Sequence, residues 1–269
     1  MKLYVLIDNN TIIDSYYKGE PALSFYIETQ NCKVLFDTGY SDLFLENAQK
    51  MNLPIQDIDY IVLSHGHNDH TLGLKYLLNF KFNKRVKIIG HPLVFNKKID
   101  VDGSDIGSYL SIEDLNQKFE LLLSEKPVKI NKNLTFLGEI PRILDKETTA
   151  IGDIIIDGKA YPDHLLDDSA LVFEKESKIT IITGCSHSGL INIIDYAQKI
   201  TDCNEINSII GGFHLLDNEL NNNEKIVKHL KLQTINKLYP CHCTGLKAKC
   251  SLMQHFNVYD VGVGLIIDN

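Results

Sequence analysis

Short runs of apolar residues, bounded by turn-forming residues, recur along the whole chain and predict β-strands. These runs are rich in Val, Ile, Leu, Tyr and Phe, the composition typical of strands that are at least half buried. The predicted strands are 2–7, 23–28, 33–36, 60–63, 86–89, 135–137, 170–174, 178–183, 208–210 and 237–239. A turn-like link, 29–32, joins the second and third strands, so this pair is predicted to form a hairpin.

Helices are predicted between many of these strands, where apolar residues recur at spacings of three and four positions. In 41–52, Leu43, Phe44 and Ala48 show this spacing, and Ser41 can cap the start of the helix. The other predicted helices are 72–78, 112–123, 190–198, 224–232 and 246–255. Strands separated by helices predict a layered α/β sandwich.

Length and composition predict one globular domain over residues 1–269. With 44% hydrophobic and 23% charged residues, the chain can bury a substantial core, and no repeat, low-complexity tract or long linker divides it. The least regular stretch, 92–132, is predicted to be a connecting or lid insertion.

The net charge of −8 argues against nucleic acid and anionic membrane surfaces as partners, because no excess of Lys and Arg is available to neutralise phosphates. The longest apolar runs are too short to cross a bilayer, and the six cysteines include no Cys-x-x-Cys pair. We therefore expect a cytoplasmic protein with reduced thiols whose partner is a small-molecule substrate. The sequence leaves its oligomeric state open.

The strongest chemical signal is the run 65–70, which reads His-Gly-His-Asn-Asp-His and follows a predicted strand. Imidazole and carboxylate groups are good ligands for zinc, manganese and iron. On an extended segment His65 and His67 point the same way, whereas Asp69 and His70 begin a helix and reach a neighbouring position. Apolar flanks bury the run, and polar groups held there need partners. The run therefore predicts a centre that can bind two metal ions.

Two segments in the first third of the chain resemble the metallo-β-lactamase superfamily: Asp37-Thr38-Gly39, and Leu63 to Thr71, which contains the histidine-rich run. Three later motifs resemble one branch of it, the dihydropterin ribofuranosylaminobenzene phosphate synthases and related metal-dependent hydrolases. These motifs are Gly184-Cys185-Ser186-His187-Ser188-Gly189, Gly211-Gly212-Phe213-His214-Leu215 and Pro240-Cys241-His242-Cys243-Thr244-Gly245. Because the motifs are spread over nearly the whole chain, the resemblance is full-length.

The resemblance implies a four-layer αββα sandwich with two divalent metal ions at one edge. Zinc is the expected metal, with manganese and iron as alternatives. The implied ligands are His65, His67 and His187 for the first ion, and Asp69, His70 and His242 for the second.

The sequence departs from the superfamily at the residue that bridges the two ions. A Gly-Asp pair usually supplies a bridging carboxylate where this chain has Gly184-Cys185. Cys185 as a thiolate, His187 or Asp168 could take that place, and the sequence does not decide among them. Asp37 is predicted to orient one of the ligand histidines.

Asp69 and His214 are the predicted catalytic residues. Asp69 belongs to the metal-binding run. His214 follows two glycines that permit close approach, so it could contact the substrate or donate a proton.

The predicted activity is hydrolysis of a small-molecule phosphoester, or another ester-like bond, by hydroxide that two metal ions activate. Two other activities are compatible with the sequence. One is a dihydropterin diphosphate-dependent transferase, as in the branch that the later motifs resemble. The other is a non-hydrolytic di-iron redox or sensing module.

Overall fold

The computed structural model describes residues 1–145, 149–216 and 220–269. The strands in these ranges are β1 (Lys2–Ile7), β2 (Ser24–Thr29), β3 (Cys32–Phe36), β4 (Tyr60–Val62), β5 (Lys87–Gly90), β6 (Lys98–Ile99), β7 (Glu120–Leu123), β8 (Val128–Lys129), β9 (Leu134–Phe136), β10 (Asp153–Ile156), β11 (Lys159–Pro162), β12 (Ala170–Lys175), β13 (Lys178–Thr183), β14 (Glu205–Gly212), β15 (Thr234–Cys241) and β16 (Ile266–Asp268). The helices are α1 (Leu43–Lys50), α2 (Asn68–Thr71), α3 (Leu74–Leu77), α4 (Ile112–Lys118), α5 (Leu190–Thr201), α6 (Leu220–Leu230) and α7 (Leu246–Met253), with a short 3₁₀ helix at Ile55–Asp57. Within the described part of the chain, no helix is both long enough and apolar enough to span a membrane.

Two large mixed sheets contain most of these strands. The first has the order β16-β1-β2-β3-β4-β5-β7, and its strands from β3 to β7 run parallel. The second has the order β15-β14-β13-β12-β9-β8, with β13, β14 and β15 parallel. A small third sheet has the order β11-β10-β6. The parallel strands of each large sheet carry the loops that matter for function at their carboxyl ends.

The main core lies between the two large sheets. Phe25 and Phe36 from the first sheet pack in one buried cluster with Phe136, Leu171 and Ile182 from the second. The outer face of the first sheet packs on α1, α3 and α4, and the outer face of the second packs on α5, α6 and α7. The layers are therefore helix, sheet, sheet and helix, which confirms the predicted αββα sandwich.

One predicted helix is wrong over its second half. The helix expected at 112–123 ends at Lys118, and residues 120–123 form β7, which pairs in parallel with β5. Phe119 is fully buried at the break and its backbone is extended, with φ −116° and ψ 166°, and the Arg85 guanidinium donates a hydrogen bond to its carbonyl oxygen over 2.9 Å. A short run of leucines is compatible with a helix and with a strand, so the apolar pattern alone predicted the wrong element.

The stretch 92–132 divides among three parts of the fold. Its β6 joins the small sheet, α4 and β7 belong to the first large sheet and its outer layer, and β8 extends the second large sheet. The part before α4 lies beside the histidine-rich run, because the Asn68 N donates a hydrogen bond to the Ile106 carbonyl oxygen over 2.8 Å. Its role as a lid stays a prediction.

Candidate metal centre

The predicted site residues meet at one edge of the sandwich, where the two large sheets come into contact. Ser64 follows β4 of the first sheet and Gly184 follows β13 of the second. A β-carbon at position 184 would lie 2.0 Å from the Ser64 Oγ, so only glycine permits this approach. The Ser64 carbonyl oxygen also accepts a hydrogen bond from the Ser169 N over 2.8 Å. The loops after β4, β13, β14 and β15 are thereby brought together.

The histidine-rich run forms a compact cluster of imidazole rings with His187. His65 and His70 are fully buried, and His67 and His187 are each 9% exposed. Ring centroids of His65 lie 4.7 Å from His67, 4.2 Å from His70 and 4.8 Å from His187. Within the cluster, the His65 Nε2 lies 3.1 Å from the His67 Nδ1, so the ring nitrogens converge on one another.

The side chains form three overlapping groups, and the ligand atoms of each group all lie within 4.8 Å of one another. The groups are His65, His67 and Asp69; His65, Cys185 and His187; and Asp69, His70, Cys185 and His242. Together they contain every residue that was predicted to bind metal. Distances of this size suit a pair of ions that share some of their ligands.

The unpartnered polar atoms fit metal ligation. Nε2 of His67 and Nε2 of His187 are buried and have no hydrogen-bond partner. Burial is the main cause that lowers the pKa of His67 to about 4, and burial also lowers the pKa of His65 and of His187 well below the usual value. These rings are therefore neutral at physiological pH, the protonation state in which imidazole binds a metal.

Asp37 makes the contact that was predicted for it. Its Oδ2 lies 2.7 Å from the His70 Nδ1 and also accepts a hydrogen bond from the Ser64 hydroxyl over 2.7 Å. The Ser64 Oγ lies 2.9 Å from the His65 Nδ1. One buried carboxylate thus orients two rings, His70 directly and His65 through Ser64, and leaves the Nε2 atom of each ring facing the centre.

His70 and Asp69 carry opposite charges in the metal-free protein. Burial opposes the charge on His70, but Asp69 and Asp37 outweigh it and raise the His70 pKa to about 9. Burial likewise opposes the charge on Asp69, but His70 and His242 outweigh it and lower the Asp69 pKa. Nε2 of His242 lies 3.2 Å from the Asp69 Oδ2, and Nε2 of His70 lies 3.5 Å from it. A metal ion would replace the proton that these groups share.

Two residues that the sequence analysis did not single out hold His242 in place. Asp8 Oδ1 accepts a hydrogen bond from the His242 backbone N over 2.8 Å, and Asn9 Oδ1 lies 3.1 Å from its Nδ1. Both residues follow β1, far away in the chain. Polar residues directly after a buried strand were the available signal, because the carboxyl ends of strands carry the loops around this site.

Among the three candidates for the bridging position, Cys185 and His187 lie in the ligand groups and Asp168 does not. Cys185 belongs to two groups, and its Sγ lies 3.2 Å from the His70 Nε2. Asp168 Oδ2 accepts hydrogen bonds from the Ser188 N and hydroxyl over 2.8 and 2.5 Å, and its Oδ1 is buried without a hydrogen-bond partner. Burial raises the Asp168 pKa to about 6, against those hydrogen bonds.

His214, the second predicted catalytic residue, lies at the side of the centre. Its ring centroid is 4.4 Å from that of His187, and its side chain hydrogen-bonds to Cys243. Burial opposes ionisation of the Cys243 thiol, but hydrogen bonds with Cys185 and His214 outweigh it and lower the Cys243 pKa. Cys243 was also missed by the sequence analysis as a neighbour of the site.

A fourth group of potential ligands, His91, Glu125 and Glu139, lies apart from these residues. The His91 Nδ1 accepts a hydrogen bond from the Leu93 backbone N over 3.2 Å. The ring proton is therefore on Nε2, 3.4 Å from a Glu139 carboxylate oxygen. A ring in this tautomer has no lone pair for a metal on that side, so we assign no ion to it.

The sequence profile of the metallo-beta-lactamase superfamily matches residues 17–242 of this chain. The chain belongs to that superfamily. Its αββα sandwich and the position of the histidine cluster at one edge agree with this assignment, and members of the superfamily are generally metal-dependent enzymes. The match includes the run 65–70 and every predicted metal ligand.

Two relatives in the superfamily come from Methanocaldococcus jannaschii. The uncharacterized protein MJ0448 is 37% identical over 98% of this chain and 98% of its own length. The 7,8-dihydropterin-6-methyl-4-(beta-D-ribofuranosyl)-aminobenzene-5'-phosphate synthase is 31% identical over 95% of this chain and 92% of its own length. The resemblance to the branch of that synthase, inferred from three motifs, is thus confirmed over the full chain.

A solved structure in the superfamily has nearly the same fold. It is described as Tm1679, a metal-dependent hydrolase of the beta-lactamase superfamily. The two structures superpose with a TM-score of 0.87 at 27% identity, over 100% of this chain and 99% of the other.

Proposed function

We propose that this protein is a hydrolase that uses two divalent metal ions, with zinc as the physiological metal, to cleave a phosphoester or another ester-like bond in a small molecule. The observation that carries the proposal is the overlap of the three ligand groups, because His65, Asp69 and Cys185 each belong to two of them. Shared ligands keep two ions close enough to act on one bond. We assign the bridging position to Cys185.

The ions, when bound, would lower the pKa of a water molecule and polarise the oxygen of the bond to be cleaved. The chain supplies the rest. Asp69, with 20% of its side chain exposed and its pKa lowered by His70 and His242 against the effect of burial, stays ionised and can accept a hydrogen bond from the reacting oxygen. His214, whose ring lies 4.4 Å from that of His187, would donate a proton to the leaving group. Asp37 and Ser64 keep His70 and His65 in a single orientation.

Metal content tests the proposal most directly. We expect close to two zinc ions per chain in protein reconstituted without chelator, and close to one in His242→Ala, because that variant removes a ligand of the second ion only. His255→Ala is the matched control, since His255 is exposed and belongs to no ligand group. A native protein that binds at most one ion after reconstitution contradicts the two-metal proposal.

Turnover tests the reaction class. Zinc-loaded protein is expected to hydrolyse bis(p-nitrophenyl) phosphate or p-nitrophenyl esters, and His67→Ala is expected to lose at least about 100-fold in kcat/KM, which corresponds to about 2.7 kcal/mol. Full metal-dependent turnover in His67→Ala would contradict the assignment of the first ion.

A second candidate is supported by the 31% identical synthase, whose name describes the joining of a dihydropterin to an aminobenzene riboside phosphate. In that reaction the ions would assist departure of diphosphate rather than attack by water. Incubating the protein with a dihydropterin diphosphate and the aminobenzene riboside phosphate distinguishes the two. Coupled product without hydrolysis of simple esters would favour the transferase.

A further inference from the structure

A buried lysine lies directly behind the histidine-rich run. Lys98 is the first residue of β6, in the small third sheet, and its side chain is fully buried. Its Nζ donates hydrogen bonds to Asp163 Oδ2 over 2.7 Å and to Asp167 Oδ1 over 3.0 Å. Burial opposes the charge, but the carboxylates of Asp167 and Asp163 outweigh it and raise the Lys98 pKa. The lysine is therefore a charged group inside the protein.

The second oxygen of Asp167 contacts the run itself. Asp167 Oδ2 accepts a hydrogen bond of 2.7 Å from the backbone N of Gly66, the residue that separates His65 from His67. A β-carbon at position 66 would lie 2.9 Å from the Lys98 Cε and 3.0 Å from the Asp167 Oδ2. The backbone of the run thus packs against the lysine stem and binds the carboxylate that the lysine neutralises.

Asp163 connects this network to the small sheet. Its backbone N donates a hydrogen bond to the Gly152 carbonyl oxygen over 3.0 Å, and its carbonyl oxygen accepts one from the Ile151 N over 2.9 Å. A chain of three charged side chains therefore runs from the small sheet to the metal-binding loop. Buried charges that are paired in this way cost several kcal/mol to leave unpaired, so the network is held together strongly.

We propose that Lys98 is a positioning residue of the metal centre, which holds Asp167 on the Gly66 N–H and so sets the direction in which His65 and His67 face the first ion. This inference rests on the proposed function only in that metal ions occupy the site. His67 is included because its Nδ1 lies 3.1 Å from the His65 Nε2 and its own Nε2 has no hydrogen-bond partner, so the direction of that Nε2 follows from the backbone that Gly66 fixes. Groups that orient metal ligands typically change metal affinity by about 10–100-fold.

Lys98→Met keeps the length of the side chain and removes its charge. We expect at least about a tenfold loss of affinity for the first ion and no change for the second, measured by competition for zinc with a chromophoric chelator. The visible absorption of the Co²⁺-substituted protein should change for one ion only. Lys118→Met is the control, because its Nζ donates to the Phe80 carbonyl oxygen and contacts no metal-ligand group.

Lys98→Met also leaves two buried carboxylates without a counter-charge, so a second variant separates positioning from folding. Lys98→Met/Asp163→Asn removes one of those charges and is expected to recover much of the lost thermal stability. Affinity for the first ion should stay low, because Asp167 still lacks its lysine.

Recovery of affinity together with stability in the double variant would show a purely structural role and overturn the inference. Equal affinities in wild type and Lys98→Met would also overturn it. A wild-type protein that binds no zinc at all would instead contradict the proposed function, so the two failures are distinguishable.

Discussion

A single carboxylate, Asp37, controls two metal ligands through hydrogen bonds of 2.7 Å to the His70 ring and to the Ser64 hydroxyl. Asp37, Ser64 and His70 are fully buried, and in such a site these bonds fix the tautomer as well as the orientation of a ring. With a metal ion bound, His70 would keep its ring proton on Nδ1, toward Asp37, and offer Nε2 as the ligand atom. Proton and metal therefore compete for the same ring, which makes binding depend on pH.

Affinity for the second ion should rise about tenfold per pH unit from pH 6 and level off near pH 9, because the His70 pKa is raised to about 9. In the metal-free protein, the contribution of His70 to stability changes with pH in the opposite direction. The folded pKa lies above the usual 6.5, so the His70 charge stabilises the fold fully below about pH 6.5 and is lost as the pH rises through 9.

In Asp37→Asn, the pH at which zinc affinity stops rising should be lower, since the substitution removes one of the three groups, Asp69, Asp37 and Cys243, that raise the His70 pKa against burial. Zinc competition titrations at several pH values measure this. Asp57→Asn, an exposed ion-pair carboxylate, is the control. An unchanged profile in Asp37→Asn would show that Asp37 does not act on the proton of His70.

Residues that cluster in sequence were predictable, and those brought together by folding were not. The run 65–70 was predictable because its six adjacent residues include four of the predicted metal ligands. Asp8, Asn9 and Lys98 lie outside any run of predicted ligands in the sequence. Until the fold is known, they are interpreted equally well as surface or turn residues. The bridging position shows the same limit, since only the geometry separates Cys185 from Asp168.

At the scale of elements, the site depends on how closely β4 and β13 approach each other at their carboxyl ends. Longer strands and helices were predictable, whereas β6, β8, β10, β11 and β16 were missed because strands of two to four residues leave little periodic signal. The glycine after β13 was noticed only as part of a motif. Its role is steric, since it lets the two sheets approach each other, and the sequence alone does not show this.

Gly184→Ala should lower the free energy of unfolding by about 1–3 kcal/mol, because its methyl group would overlap the Ser64 Oγ. It should also reduce zinc content, since Cys185 and Ser64 would be displaced. Chemical denaturation and elemental analysis measure the two effects. Gly158→Ala is the comparison: its φ of +76° is unfavourable for alanine, which Gly184 does not share, but no atom lies within 4 Å of the added carbon. Equal losses of stability in both variants would mean that the contact with Ser64 is not the cause of the destabilisation.

At the scale of the whole molecule, each large sheet supplies part of the centre. The first sheet carries His65, His67, Asp69 and His70, and the second carries Cys185, His187 and His242. Both ions would therefore be bound by residues of both sheets. Metal binding is then linked to the packing of the two sheets on each other.

Zinc at about 100 times its dissociation constant should raise the free energy of unfolding by about 2.7 kcal/mol for each ion bound. The apparent melting temperature should rise accordingly, and His242→Ala should show roughly half of the free-energy gain. Urea titrations with zinc and with chelator measure it. Equal gains in wild type and His242→Ala would contradict the assignment of His242 to one of the ions.

The division of the ligands between the sheets also says what a single cut in the backbone would do. A break in the link between β7 and β8 separates a piece that carries His65, His67, Asp69 and His70 from a piece that carries Cys185, His187 and His242. Neither piece carries all the ligands of either proposed ion, whereas the two pieces together carry all of them. A metal ion held as proposed would be the third component of the assembly, and reassociation of the two fragments would depend on its concentration.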